Sequence, residues 1–204
     1  MNAVITADIV NSTILDKASF KKLISALTAL FGKDNLEIYR GDSFQAFVKQ
    51  ADDALLDCIK SRLLAIQYSR KQRIDIRMSI SIGLLNTDTG KLGSNMDELF
   101  ISSGRYFDKF QNTSHKLYIV SGIKEADFTY EIMAQYLDSI LERVTARQAE
   151  VVYQLLCGKT QVETARLLNK TTATISQHVK TARYDEIENI LNKFDILTNQ
   201  LQHG

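Results

Sequence analysis

The 204-residue sequence contains no proline, only two cysteines and three histidines, and no long apolar run. Without proline, its turns must be made by Gly, Asn, Asp and Ser. Cys58 and Cys157 lie far apart, each in a helix-like stretch. That excludes a disulfide framework and a CxxC metal site, so both read as small core residues. His115, His178 and His203 have no metal-ligand spacing to one another. No apolar stretch approaches the roughly 18 residues of a membrane span, and the first residues lack the basic, apolar and cleavage regions of a secretory signal. The expectation is a cytoplasmic protein without a membrane partner. With 45% hydrophobic and 24% charged residues, the composition is that of a globular chain of one large or two small domains.

The net charge of +1 conceals an uneven distribution. Residues 143–184 carry seven Lys and Arg against two Asp and Glu, whereas residues 185–204 carry one against four. A short positive segment in a neutral chain suits attraction to phosphate, although solvated charged faces are also common.

The apolar run Ala3 to Val10 reads as a buried strand ending in Asn11-Ser12-Thr13. An amphipathic helix is expected over residues 17–31, with Phe20, Leu23, Ile24, Leu27 and Leu30 on one face and Gly32 as the stop. Leu36 to Arg40 and Phe44 to Val48 form a hairpin around Gly41-Asp42-Ser43. A helix over residues 51–70 and an alternating strand from Ile74 to Gly83 follow. Next come a polar loop over 86–95, a helix from Met96 to Phe110 and a strand at Leu117 to Val120. This order predicts an α+β chain whose first part is a ferredoxin-like βαββαβ domain. In that topology the first and third strands are antiparallel neighbours, which brings Asp8 and Asp42 together. Paired carboxylates at a strand edge suit Mg²⁺ completed by phosphate oxygens. The alternative is that Asp8 ends a strand and Asp42 shapes a turn.

The segments Ala7-Asp8-Ile9-Val10-Asn11-Ser12 and Gly41-Asp42-Ser43-Phe44-Gln45-Ala46-Phe47 resemble the metal-binding segments of class III nucleotide cyclase domains, and more closely those of the SatD-like bacterial family. Arg77 to Gly83 resembles the strand that follows, and Ser102-Ser103-Gly104-Arg105 falls where cyclases carry a phosphate-stabilising Arg. The resemblance covers residues 1–122. It implies metal binding by Asp8 and Asp42, phosphate contact from the backbone of Ile9, Val10, Asn11 and Ser12, and charge neutralisation by Arg105. Arg40 and Arg77 are further candidates for phosphate, or else for surface ion pairs. Three departures count against a working cyclase: its Asn falls on Ile101, its base-selecting Lys on Ile38 and the partner Asp on Ser94. Each missing transition-state donor typically costs about 10²- to 10³-fold in rate. The resemblance therefore implies a degenerate domain that binds a nucleotide or phosphorylated ligand as a signal.

From Thr145 the pattern changes. Thr145 opens a helix with Val151, Val152, Leu155 and Leu156 that Gly158 closes. Thr160-Gln161-Val162-Glu163 is a capping box, Asn169 stands at the tight turn, and Thr171 caps a third helix with Ile175, Val179 and Ala182 inward. The spacing resembles the helix-turn-helix of the LuxR and sigma-factor region 4 groups, with Ala165 where the helices cross. The outer face of the third helix then presents Thr172, Ala173, Ser176, Gln177 and Lys180. Ser176 and Gln177 are the candidates for base edges of double-stranded DNA; Lys180, Arg183, Thr160 and Gln161 are those for phosphates.

The expected organisation is a cyclase-like domain over residues 1–122, a connecting helix over 123–143 and a DNA-binding domain with a C-terminal helix over 144–204. The connecting helix carries a stripe of Phe128, Ile132, Tyr136 and Ile140, suited to the core or to a dimer contact. The acidic, amphipathic tail from Tyr184 to Leu201 suits a homodimer on a two-fold DNA site. Three functions remain open: a ligand-sensing regulator of transcription, a Mg²⁺-dependent nucleotide-processing enzyme with a DNA-binding module, and a protein-binding scaffold.

Overall fold

A computed structural model describes residues 1–39, 41–85, 92, 97–110 and 113–203. The chain is α+β, with a five-stranded mixed sheet and eight α-helices among these residues. The first part runs β1 (Asn2–Val10), α1 (Lys17–Phe31), β2 (Leu36–Tyr39), β3 (Ser43–Val48), α2 (Ala54–Ile66), β4 (Asp75–Gly83), α3 (Glu98–Phe110) and β5 (Leu117–Val120). Helices α4 (Lys124–Leu141), α5 (Ala146–Leu156), α6 (Gln161–Leu167), α7 (Thr172–Thr181) and α8 (Tyr184–His203) follow. Arg40, Ser94, Met96 and the polar loop over 86–91 and 93–95 lie outside the described residues. No described helix is long and apolar enough to cross a membrane.

The strands lie in the order β2-β3-β1-β4-β5. β1 is antiparallel to β3 and β4, β2 to β3, and β5 is parallel to β4. Alternation along β1 sets the two faces of the sheet. Ala3, Ile5, Ala7 and Ile9 point into the main core with Leu23 and Leu27 of α1 and Leu55, Ile59 and Leu63 of α2. Val4 points the other way, onto Leu92, Leu99 and Phe100. The positions in step with Val4 become polar, with Thr6, Asp8, Gln45 and Ser79 on that second face. There the hydroxyls of Thr6 and Ser103 are hydrogen-bonded and Gln45 Nε2 donates to Thr6 Oγ1 at 3.1 Å.

The main core continues into the C-terminal helices, taking in Ala149 and Val152 of α5 and Ile187, Ile190 and Phe194 of α8. A smaller cluster of Val151, Leu155, Ala165, Ile175 and Val179 joins α5, α6 and α7. Three sequence expectations change here. The buried side of α4 is Ala126, Tyr130, Ala134, Leu137 and Ile140, leaving Phe128, Ile132 and Tyr136 exposed, because packing against β5 and α8 selects a different face. The apolar face of α8, suited from sequence to a second copy, packs within the chain on α4, α7 and the turn before α2, and Tyr130 of α4 packs on Phe194 and bonds Thr198. Cys157 is exposed, since it caps the end of α5 instead of continuing its inner face.

Buried charge fastens the layers together. Arg62 of α2 donates from Nε and Nη2 to the Asp75 carboxylate at 2.9 and 3.0 Å, and from Nη1 to Asp138 of α4 at 2.5 Å. Asp138 also accepts from the Lys116 amide at 2.8 Å, which positions the start of β5. Arg73 closes the end of α4 by donating to the carbonyls of Val144 at 2.6 Å and Leu141 at 2.5 Å.

Candidate functional sites

The antiparallel pairing of β1 with β3 sets Asp8 opposite Ser43, next to Asp42. The Ile9 amide donates to the Asp42 carbonyl at 3.0 Å, and Ser12 Oγ donates to Asp42 Oδ2 at 2.6 Å. On its other side Asp8 faces Arg77 of β4. The structure thus brings Asp8, Asp42, Ser12 and Arg77 to one corner of the polar sheet face. Burial pushes the Asp8 carboxyl above its ordinary value; Arg77 opposes this and the nearby Asp42 adds to it. One oxygen of Asp8, Oδ1, is buried without a hydrogen-bond partner among the described residues. Two carboxylates with an unsatisfied oxygen suit a hard cation, but no group of three or more His, Cys, Asp or Glu able to hold a metal occurs among the described residues. Water and a ligand's oxygens would have to complete such a site.

The loop after β1 is built for a sharp turn. Asn11 adopts φ 60°, a left-handed conformation that Asn tolerates, and its Nδ2 donates to the Arg73 carbonyl at 2.7 Å. A short turn over Ser12–Ile14 follows, and Asp16 caps α1 through the Ser19 amide and hydroxyl, both at 2.8 Å. The Ile9 amide is consumed by Asp42, and Val10 lies within the β1–β4 pairing opposite Asp75. That limits the backbone these two residues can offer a phosphate.

Arg105 lies elsewhere. It pairs with Glu98 at 3.2 Å and lines a cleft of about 520 Å³ with Gly83, Leu84 and Ser121, at the end of β4 where Gly83 faces Asn2. Asp8 stands at the opposite end of that ladder. Of the positions where the cyclase resemblance fails, Ile38 is exposed and Ile101 half-buried.

The C-terminal helices are set by their caps. Thr145 with Gln148 and Thr160 with Glu163 form reciprocal capping boxes, and the Thr171 hydroxyl accepts from the Thr174 amide. Asn169 takes φ 50° at the turn between α6 and α7. Buried Ile175 and Val179 hold α7 on α5, while Thr172, Ala173, Ser176, Gln177 and Lys180 are all exposed, Thr172 at the first turn on the same side as Ile175 and the other four turned away from it. Gln161 is exposed as well, whereas the Thr160 hydroxyl is engaged with Glu163. Arg183 is held within the chain: at φ 58° between α7 and α8, its guanidinium donates to Glu186 from Nε at 2.6 Å and Nη2 at 2.5 Å, and to the Tyr136 hydroxyl at 2.7 Å. These contacts hold Glu186 down to about 2.

Sequence reasoning did not find Arg62 or Arg73. The signal for Arg62 was present, because an arginine shares a helix face with Leu55, Cys58, Ile59 and Ile66. Such a charge must either spoil the core or be paired in it. No protein-family model matches this sequence, and no curated protein matches it.

Proposed function

We propose that the chain is a DNA-binding regulator of transcription, acting in the cytoplasm, whose α+β part is a degenerate cyclase-like domain that senses a ligand. The observation that carries the reading is the outer face of α7. Five residues suited to a major groove stand in solvent on a helix anchored by Ile175 and Val179 behind a tight turn. Gln177 suits adenine, Ser176 suits several base edges, and Lys180 and Gln161 are left for phosphates. The strongly basic stretch over 143–184 supports the same reading. In this proposal two copies bind a two-fold site, as such modules generally do.

For the first part, the neighbours β2-β3-β1-β4, each pair antiparallel, support a ferredoxin-like domain followed by the helical module. Asp8 and Asp42 would hold Mg²⁺, which would supply charge to bind a nucleotide's phosphates, with Ser12 and Arg77 beside it. A second reading, a Mg²⁺-dependent nucleotide-processing enzyme, is favoured by the unpartnered Asp8 oxygen. It is weakened by isoleucine at positions 38 and 101.

The test is duplex binding by the full chain as salt is varied. Lys180→Ala should weaken binding on every sequence and lower the salt slope by about 0.9. Gln177→Ala should cost about 1–3 kcal/mol of discrimination at one base pair. Affinity indifferent to both substitutions and to salt would favour a protein-docking helix. Nucleoside triphosphate turnover with Mg²⁺ that Asp42→Asn abolishes would favour the enzyme.

A further inference from the structure

Between the loop after β1 and the segment after α2 lies a cavity of about 500 Å³, within the size range of small-molecule sites. Ile14, Leu15 and Ile74 give it an apolar lining, and Tyr68, Arg70 and Lys71 contribute an aromatic ring and two cations. Ile14 is 49% exposed, an apolar side chain left in water at the cavity wall. Arg70 and Lys71 are both exposed, and neither forms a salt bridge with a described residue. Asp16 is the single acid in the lining, and its carboxylate is already committed to the Ser19 amide and hydroxyl at the start of α1. The lining therefore carries two cations against one capped anion.

We propose that this cavity binds a planar aromatic anion, its ring against Tyr68, Ile14 and Ile74 and its acid group toward Arg70 and Lys71. The site is separate from the Asp8–Asp42 corner, requires no metal and does not depend on DNA binding. Its walls are joined by the hydrogen bond from Asn11 to the Arg73 carbonyl, so an occupant touches both segments that meet there. Two sources share the chemistry, a nucleoside monophosphate and a simple aryl acid.

Calorimetric titration of the full chain in EDTA with adenosine monophosphate and, separately, naphthalene-1-sulfonate tests the proposal. Saturable binding is expected for at least one probe, and which one binds identifies the source. Arg70→Glu with Lys71→Glu should weaken that binding about tenfold or more, because the acid group then meets like charge. Ile14→Asp should weaken it too, while Asp42→Asn should leave it unchanged. All four positions are surface or half-buried, and a urea midpoint close to wild type verifies folding of each variant. Binding of neither probe, or binding that survives the charge reversal and Ile14→Asp in folded protein, overturns the proposal.

Discussion

Replacing Arg62 by methionine removes the cation shared by two buried carboxylates. The Arg62 side chain is 1% exposed, against 4% for Asp75 and 13% for Asp138. Burial alone would lower the arginine's pKa, but Asp75 and Asp138 more than reverse this, so Arg62 stays charged. After the substitution Asp75 keeps the Ile76 amide at 2.8 Å and the more distant Arg73 guanidinium at 3.6 Å, and Asp138 keeps the Lys116 and Leu117 amides at 2.8 and 3.3 Å, so both carboxylates lose their closest cation while largely out of water. Breaking a buried pair from one side costs about 3–5 kcal/mol. Against a total stability of about 5–15 kcal/mol, that is a large fraction. Urea unfolding followed by circular dichroism should show Arg62→Met losing this amount with little change in slope. Arg62→Lys, which keeps the charge but not the two-pronged geometry, should lose less. A loss below about 1 kcal/mol for Arg62→Met, or an equal loss for both variants, would refute the reasoning.

Asp57 is pushed up to about 6, by burial first and by Asp53, against the pull of Lys60. A carboxyl whose folded pKa is raised stabilises the fold relatively at low pH and loses that contribution as pH rises from about 4 through 6. Asp57→Asn should therefore raise stability by about 1–3 kcal/mol at pH 7.5 and by much less near pH 4, read from urea midpoints. Thr145→Ala removes the α5 cap and should cost about 1 kcal/mol, seen as a lower melting temperature. Arg73→Ala frees two carbonyls at the end of α4; a loss of about 1–2 kcal/mol is expected, with faster amide exchange over residues 141–146.

The first strands, their hairpin and the three caps of the C-terminal helices were legible because each depends on local pattern. Alternation, a Gly-Asp-Ser turn and threonine before a periodic run all act over a few residues. The meeting of Asp8 and Asp42 was legible for a different reason, since strand order alone puts those positions side by side. What escaped was set by contacts distant in the chain. The stripe on α4 gave no means of choosing between Phe128 and Tyr130 as the inward side, because the choice is made by packing against β5 and against α8, which arrives more than forty residues later. The resemblance implied charge neutralisation by Arg105, but the cleft that its side chain lines, at the Gly83 end of β4, is set by packing that the local sequence does not carry. Arg183 has the composition of a phosphate contact; only the fold reveals that Glu186 and Tyr136 claim it.

The continuity of the core bears on how a ligand could influence α7. Helix α5, which supports α7 through Val151 and Leu155, also buries Ala149 and Val152 in the main core. Tilting α5 away would return those methyl groups to water at about 0.8 kcal/mol for each carbon uncovered. Helix α7 is therefore carried at a set angle by α5, which packs chiefly on α2 and follows the junction with α4. Arg73 holds this junction through Leu141 and Val144, and its own carbonyl accepts the Asn11 side chain. In the proposed regulator, a change in the loop after β1 would have to reach α5 through the Asn11 bond and the two Arg73 bonds, each replaceable by water. Coupling between two sites usually amounts to about 1–3 kcal/mol. If the chain binds DNA as proposed, that would change affinity by one or two orders of magnitude and would be too little to act as an all-or-none switch.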